Sequence, residues 1–399
     1  MENIIGIMKR NRFRKGKEES GFIQLFISKR LIHGAATALL GIFVPIFIYE
    51  TTGQHFYIVG GYYALLSLLY VLFLVPGMKF INKLGFSRSL IVGGLASVLI
   101  YSFMFFMTPE NFWVILPFLT VSIIVFRIFH WVPYHVDFAM FTKAGERGRQ
   151  VSLSFATIAF MGVIGPIMAG FIIKHAGYNA LFGTAVILLM AATVSYSFVP
   201  ETNTRFTWTY AQTIKKIFSK NLKGISLGEF ANGAEVAFTL YVWPIFLYRL
   251  LDGDVFEIGA LSTVIVAVTI VLQIFVGKYL DKKGDNKIKT LKTGSVLYAL
   301  GWILKIFIFS AAQVFFVGLY HNIVKIFTKT PFTAIIYDMS ADQGRYVDEF
   351  TVVREMTGHT GRAVSLIVIS LLSLTMPIEW TFVLAAGASI ALNMVYATR

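Results

Sequence analysis

Ionisable side chains stand inside long apolar segments of this 399-residue chain. A charge at the centre of a bilayer costs roughly 2.5–3.5 kcal/mol or more, so such a side chain should face protein or water. The residues in question are His33, Arg127, His130, Glu235, Lys325 and Arg362. Grouped cations can bind an anion, and a carboxyl beside them can exchange a proton for an ion pair. These residues therefore predict either a buried site for a charged solute or internal ion pairs between helices.

The segments that carry these residues are windows of about 20 apolar residues, long enough to cross the ~30 Å hydrocarbon core of a bilayer. Hydrophobic residues make up 56% of the chain and charged residues 14%, whereas soluble domains have about 45–50% and about 25%. The predicted spans are 23–48, 57–80, 87–107, 112–138, 151–174, 178–199, 224–249, 256–280, 288–309, 312–338, 351–374 and 378–397. The predicted fold class is an all-α polytopic membrane protein with twelve transmembrane helices.

The second half of the chain repeats the first at an offset of 199 residues. Gly34, Pro45, Tyr49 and Lys83 return as Gly233, Pro244, Tyr248 and Lys282. A constant offset indicates duplication, and two like halves in so apolar a chain are typical of transporters with the site between the halves. We therefore predict a basic tail (1–22), an N-terminal six-helix half (23–199), a linker (200–223) and a C-terminal six-helix half (224–399).

Lysine and arginine are distributed unevenly among the predicted loops. Of 35 such residues, 25 lie in the termini, the linker and the loops on the same side, and two, Lys174 and Arg249, lie in the opposite loops. The positive-inside rule places both termini in the cytoplasm and the chain in the plasma or inner membrane as a multi-pass protein. The net charge of +14 is thus a topology signal and predicts no nucleic-acid partner.

The linker 200–223 interleaves apolar residues with lysines. The apolar positions include Trp208, Tyr210, Ile214, Ile217 and Phe218. This spacing predicts a short amphipathic helix at the cytoplasmic membrane surface, with its apolar face in the lipid headgroups. A disordered tether is the alternative.

Two predicted loops carry related motifs. The eighth span ends in GKYLDKKG (277–284), and the second is followed by NKLG (82–85). The first motif resembles the G-x-x-x-D-[RK]-x-G signature of the major facilitator superfamily. Gly165-Pro166 with Gly170 is similar to the G-P-x-x-G-G stretch of that family's exporters. The resemblance implies two six-helix halves that rock around a midplane site.

The loop motifs predict a conformational latch. Its residues are Asn82, Lys83, Gly85, Gly277, Asp281, Lys282 and Gly284. A carboxylate at Asp281 can bond a helix N-terminus and meet basic partners, and such a contact would break when the halves rock. Asn82 carries no charge, so the first-half latch should be weaker. An ordinary solvated turn is the alternative.

The family resemblance implies that the first, fourth, seventh and tenth spans line a central cavity. His33, Arg127, Glu235 and Lys325 then fall one on each lining helix. The predicted substrate-binding residues are His33, Arg127, His130, Glu235 and Lys325. The repeat pairs Arg127 with Lys325, which favours a cationic pair that faces an anionic ligand group. As alternatives, Arg127 could anchor a helix and His33 could be a packing residue.

The eleventh span carries Glu355, His359 and Arg362, spaced four and three residues apart and thus on one helix face. Together with Glu235 they are the predicted proton-coupling residues. The alternatives are an internal charge network and, for Glu235, a permanent ion pair with Lys325 or Arg362. Four further cations near span ends are expected to reach the membrane surface and to need no function, namely Lys29, Arg30, Lys174 and Lys329.

The predicted function is secondary transport of a small molecule, with protons or another coupling ion, by a symporter or antiporter that acts as a monomer in the lipid bilayer. The chain has no phosphate-binding loop, no hydrolase motif and no cysteine, so we expect neither an enzyme nor a cofactor or metal. Cations outnumber carboxylates in the predicted cavity, which favours an organic anion as substrate. Export of amphipathic drugs or lipids, and a membrane receptor or scaffold that does not transport, are the alternatives.

Overall fold

The computed structural model describes residues 20–141, 147–201, 206–282, 287–341 and 347–396. In these ranges the chain is helical and contains no strand. The helices are α1 (Ser20–Leu40), α2 (Phe43–Thr51), α3 (Phe56–Leu84), α4 (Phe86–Phe105), α5 (112–141), α6 (Arg147–Tyr196), α7 (Tyr210–Ile217), α8 (Lys223–Leu250), α9 (Val255–Lys282), α10 (Lys287–Lys305), α11 (Ala311–Ala341), α12 (Val347–Leu372) and α13 (Ile378–Tyr396).

Seven helices of the described residues are long and apolar enough to cross a membrane. An eighth is added if α1 and α2, which meet at a bend of 41°, form one span. Helix α6 is divided at Gly177, whose φ of 77° lies in the left-handed region that favours glycine. The predicted fold class, an all-α polytopic membrane protein, is confirmed. The count of twelve spans stays a prediction.

The helices pack as two groups, α1 to α6 and α8 to α13, that meet mainly along two helix pairs. Within the groups, α6 packs on α1 and α4, and α8 packs on α12 and α13. Between the groups, α3 packs on α12 and α6 packs on α9. The largest buried apolar core draws residues from both groups. A smaller contact between α2 and α8 also joins the two groups.

Glycine permits the closest helix contact in the second group. A Cβ atom at Gly233 of α8 would overlap the carbonyl of Gly358 on α12, and one at Gly361 would overlap the carbonyl of Phe230. Two backbones can approach this closely only when neither residue has a side chain in the way. The contact fixes α8 against α12, the two helices that carry most of the charged residues described below.

Helix α7 lies in the predicted linker and begins with a capping box. The backbone N–H of Gln212 donates to Thr209 Oγ1 at 3.2 Å, and the Thr209 N–H donates to Gln212 Oε1 at 2.8 Å. Ile214 and Ile217 pack against the buried core of the bundle. Phe218, another of the apolar linker positions, is exposed. The position of this helix at the membrane surface stays a prediction. The domain boundaries stay a prediction.

Candidate functional site

Three helices are locally widened into π-helical segments, at Phe26–Ile32 in α1, Arg127–Trp131 in α5 and Phe238–Val242 in α8. Such segments are uncommon and are frequent at functional sites, because the extra residue in the turn redirects neighbouring side chains. All three belong to helices that the sequence predicts to line a cavity. Arg127 opens the second segment, and Glu235 lies three residues before the start of the third.

Glu235 of α8 is the centre of a tight polar cluster inside the C-terminal half. Its carboxylate lies 2.6 Å from Lys329 Nζ of α11. Tyr298 of α10 donates its hydroxyl to the carboxylate at 2.7 Å, and Thr239 donates at 2.8 Å. Glu235 is only 1% exposed. Four side chains from three helices thus hold one another in place.

The cluster continues along α8 towards the linker side. Lys329 also donates to Asn232 Oδ1 at 2.6 Å, and Asn232 Nδ2 donates to Glu229 at 3.1 Å. Arg354 of α12 then pairs with Glu229, with its Nε at 2.7 Å from Oε1. We call the run from Glu235 through Lys329, Asn232 and Glu229 to Arg354 the charge band. Each carboxylate in it is matched by a cation.

Glu355 of α12 reaches across to the N-terminal half. Tyr70 of α3 donates to its carboxylate at 3.4 Å, and Trp131 Nε1 of α5 donates at 3.4 Å. His359 lies one helical turn away on α12, with Nε2 at 3.8 Å. These distances are long compared with the 2.6 to 2.8 Å around Glu235. Glu355 is therefore held loosely, by groups from both halves.

Arg127 of α5 and Arg362 of α12 lie within electrostatic reach of each other, and we call them the guanidinium pair. Among the described residues, Nη1 of Arg127 and Nε of Arg362 are buried without a hydrogen-bond partner. Five tyrosines lie within electrostatic reach of one or both arginines, namely Tyr62, Tyr63, Tyr70, Tyr101 and Tyr241. Tyr63 and Tyr241 stack across the two halves with ring centroids 3.9 Å apart. Positive charge and hydroxyl groups thus converge where the halves meet.

The other predicted substrate-binding residues lie elsewhere. His33 and His130 stack on each other in the core of the N-terminal half, 4.8 Å between ring centroids, and are 1% and 0% exposed. Lys325 lies beside Glu235 and Lys329. No contact in the described part of the chain joins Lys325 to Arg127, and the symmetric cationic pair stays a prediction. Arg362, from the predicted coupling set, lies within electrostatic reach of Arg127.

The first-half latch residues bind the linker. Asn82 donates from Nδ2 to the Phe206 carbonyl at 2.7 Å, and its Oδ1 accepts from the Phe206 N–H at 3.1 Å. Gly85 has a φ of 93° and adjoins Glu201, whose carboxylate accepts from the N–H of Phe86 at 2.5 Å. Glu201 thus supplies the negative charge that Asn82 lacks and places it at the N-terminus of α4.

The structure describes fewer contacts for the remaining latch residues. The side chain of Lys83 is exposed. The side chains of Asp281 and Lys282, the surroundings of Gly277, and all of Gly284 lie outside the described residues. The second-half latch stays a prediction.

Sequence reasoning missed the partners of Glu235. Lys29 and Lys329 were expected to reach the membrane surface, and this is wrong, because Lys29 is 8% exposed and Lys329 pairs with Glu235. The sequence does contain a pattern that indicates a polar face on α8. Glu229, Asn232 and Glu235 recur every three residues and so share one face of a helix. Tyr298 and Arg354 carry no comparable pattern.

Comparison with known proteins agrees with this architecture. The model of the Major Facilitator Superfamily matches residues 30–225. A peptide transporter POT, solved in complex with sulfate, is similar with a TM-score of 0.65 at 11% identity, over 95% of this chain and 94% of that one. The nucleoside transporter NupG is similar with a TM-score of 0.63 at 13% identity, over 94% and 98% of the two chains.

One relative is similar in sequence. The uncharacterized protein YqgE of Bacillus subtilis (strain 168) is 24% identical over 255 residues, which cover 60% of this chain and 57% of that protein. The match therefore spans less than two thirds of the relative's length. The family match and the fold together support a polytopic membrane protein of the transporter class. The chain belongs to the Major Facilitator Superfamily.

Proposed function

We propose that this protein is a secondary transporter that moves a small organic anion by alternating access and couples this movement to protons. Family membership and fold support the transporter class. The guanidinium pair supports the anionic substrate, and Glu355 supports the coupling. The guanidinium pair is the observation that carries the proposal.

The argument for an anion starts from charge balance. Within the charge band, Glu235 faces Lys329 and Glu229 faces Arg354. Arg127 and Arg362 have no such carboxylate hydrogen bond among the described residues, and each has a buried N–H without a partner. An unpaired buried donor costs about 1–3 kcal/mol, and more when it is charged. A carboxylate or phosphate would satisfy both guanidinium groups, since arginine matches the planar geometry of these anions.

The tyrosines around the guanidinium pair determine which kind of anion the site favours. Tyr63 and Tyr241 present stacked rings from opposite halves, and Tyr70 turns its hydroxyl to Glu355. Rings give apolar contact area with little loss of side-chain entropy, and their hydroxyls can bond polar groups of a ligand. The site therefore suits a small organic anion better than an inorganic one.

Glu355 is the carboxyl that we assign to coupling. It lies near Arg362 and is bonded across the interface by Tyr70 and Trp131 at long distance. When it is ionised, it competes with the substrate anion for the guanidinium groups; when it is protonated, it leaves them free. Protonation and anion binding are therefore linked, because each favours the other in this arrangement. Glu235, by contrast, is occupied by three short bonds.

Alternating access requires that the two halves rock at their shared surface. The helix pairs that join them approach closely, since a Cβ at Gly60 of α3 would overlap Ser370 of α12, and one at Gly259 of α9 would overlap the Pro166 carbonyl of α6. Surfaces without bulky side chains allow such helices to tilt against each other without unpacking a core. The bonds of Glu355 cross this surface and would rearrange as the halves move.

The experiment uses the purified protein in proteoliposomes that contain a pH-sensitive dye. A panel of short carboxylates and organophosphates is added outside, with nucleosides and amphipathic cations as further panels. We expect selected anions to acidify the lumen, Arg127→Gln and Arg362→Gln to abolish the signal, and the surface variant Lys174→Gln to retain it. Glu355→Gln should lose acidification but still bind the anion.

Other outcomes would contradict the proposal. Acidification or alkalinisation driven by amphipathic cations, unchanged in Arg127→Gln, would favour drug export. Binding without any movement of solute or proton would favour a receptor.

A further inference from the structure

Lys29 lies in the π-helical segment of α1 and is 8% exposed. No hydrogen bond or ion pair reaches its ammonium group among the described residues, and the charged side chain that acts on it is Arg30, another cation. A buried ammonium without an anion is unfavourable by several kcal/mol. Something must offset this charge, or the amine must be neutral.

Aromatic rings offset the charge at Lys29 only weakly. The nearest ring centroids, those of Phe126, Trp131 and Tyr134, lie 6.0, 5.8 and 5.7 Å from Nζ. This is the outer limit of a cation–π contact, which extends to about 6 Å. Each ring at this distance stabilises the ammonium less than a ring face at about 4 Å does.

Lys305 shows what a compensated lysine looks like in the same protein. It is 3% exposed, and its Nζ lies 3.9 Å from the Trp243 ring centroid and 4.0 Å from that of Trp302. Two indole faces in direct contact can stabilise a desolvated ammonium by about 2 kcal/mol or more. Lys29 has no equivalent contact.

Two buried imidazoles adjoin Lys29. His33 and His130 both lie within its electrostatic reach. Both ring nitrogens of His33 and Nδ1 of His130 are buried without a hydrogen-bond partner, while Nε2 of His130 lies 3.4 Å from the Tyr196 hydroxyl. A neutral imidazole carries one N–H donor and one acceptor nitrogen, so His33 has one unpartnered N–H, and His130 has one at Nδ1 when its Nε2 accepts from the Tyr196 hydroxyl. In that arrangement the two imidazole N–H groups and the Lys29 ammonium have no acceptor among the described residues.

We propose that Lys29, His33 and His130 form a binding site for a small inorganic anion of halide size. One anion would accept from the ammonium and from the imidazole N–H groups and so satisfy the unpartnered donors together. The stacked rings of His33, His130 and Phe126 leave the site narrow, which favours a monatomic ion over an organic acid. The site lies inside the N-terminal half and is distinct from the guanidinium pair.

The test compares melting temperatures of the purified full-length protein in sodium chloride and in sodium gluconate at equal ionic strength. A ligand that binds the folded state raises its apparent stability in a saturable manner. We expect chloride to raise the melting temperature of the wild type and to have no effect on Lys29→Met. The matched control Lys174→Met, a half-exposed lysine, should respond as the wild type does.

A second variant, His33→Phe, tests the same site if Lys29→Met does not fold. His33→Phe keeps an aromatic ring in the stack and removes both nitrogens, so it should reduce the apparent chloride affinity about tenfold or more, the loss expected for one hydrogen bond to a charged group. Iodide gives an independent readout, because the Trp131 ring lies 5.8 Å from Lys29 Nζ. We expect a saturable component of fluorescence quenching that is absent in Trp131→Phe.

Three results would overturn the site. The wild type could melt at the same temperature in both salts, which would mean that Lys29 is neutral. Lys29→Met and His33→Phe could both retain the wild-type response. Iodide quenching could be linear without a saturable component, as expected for collision with exposed tryptophans alone.

Discussion

Removal of the charge on Glu235 should lower the free energy of unfolding of the protein. It should leave proton coupling in place, because Glu355 is the residue assigned to that role. The carboxylate is 1% exposed, lies 2.6 Å from Lys329 and accepts from Tyr298 and Thr239. Glu235→Gln leaves Lys329 without its counter-charge. Removing one partner of a buried ion pair costs about 3–5 kcal/mol. The Lys329 side chain is 20% exposed and keeps its bond to Asn232, so we expect the lower end, about 3 kcal/mol.

The assay is a double-mutant cycle on the free energy of unfolding, measured in mixed micelles with parallel melting curves. Glu235→Gln and Lys329→Met are made singly and together. The double variant leaves no buried charge without a partner. Its loss in the free energy of unfolding should therefore be about 2 kcal/mol smaller than the sum of the two single losses, within the range known for residues in contact. Glu110→Gln, an exposed carboxyl on the loop between α4 and α5, is the matched control and should melt as the wild type does.

One pattern would refute this reasoning. A Glu235→Gln variant that unfolds like the wild type but no longer responds to a proton gradient would make Glu235 the coupling group, as the sequence had suggested. Glu355 would then lose the role assigned to it here.

Three further predictions follow from close contacts and from the latch. Gly233→Ala should destabilise the α8–α12 contact and lower the melting temperature, whereas Gly61→Ala, where a Cβ meets no atom within 4 Å, should not. Asn82→Ala removes both bonds to Phe206 and should increase proteolytic cleavage of the linker; unchanged cleavage would count against a restraint at this point. Asp281→Asn should increase labelling of cysteines introduced at the predicted cytoplasmic side of the central cavity in this cysteine-free chain, and equal labelling would argue for an ordinary turn.

Much of the architecture could be predicted from the sequence, because burial in a bilayer acts on every residue of a span. Long apolar windows mark helices whatever their neighbours are, and the 199-residue offset marks two like halves. The repeat and the family resemblance assign the helices of Glu235 and Lys325 to one cavity, and the roles of the two residues there stay predictions.

The choice of partners could not be predicted in the same way. Lys325 and Lys329 are one helical turn apart, and hydropathy does not distinguish which of them faces Glu235. Glu201 caps α4 from 115 residues further along the chain, a contact that only the packed fold creates. The sequence shows that Lys29 lies near the end of a span, which predicts that it reaches the membrane surface. It does not show the aromatic rings that surround this side chain in the packed fold.

The most direct test of the central claim is a binding comparison on the guanidinium pair. The purified wild type, Arg127→Gln and Arg362→Gln are titrated with short carboxylates, organophosphates and amphipathic cations, and melting temperature is the readout. We predict that selected anions stabilise the wild type and that each substitution weakens their binding about tenfold or more, as expected for a lost charged hydrogen bond. Stabilisation of all three proteins by amphipathic cations, with no response to any anion, would contradict the account.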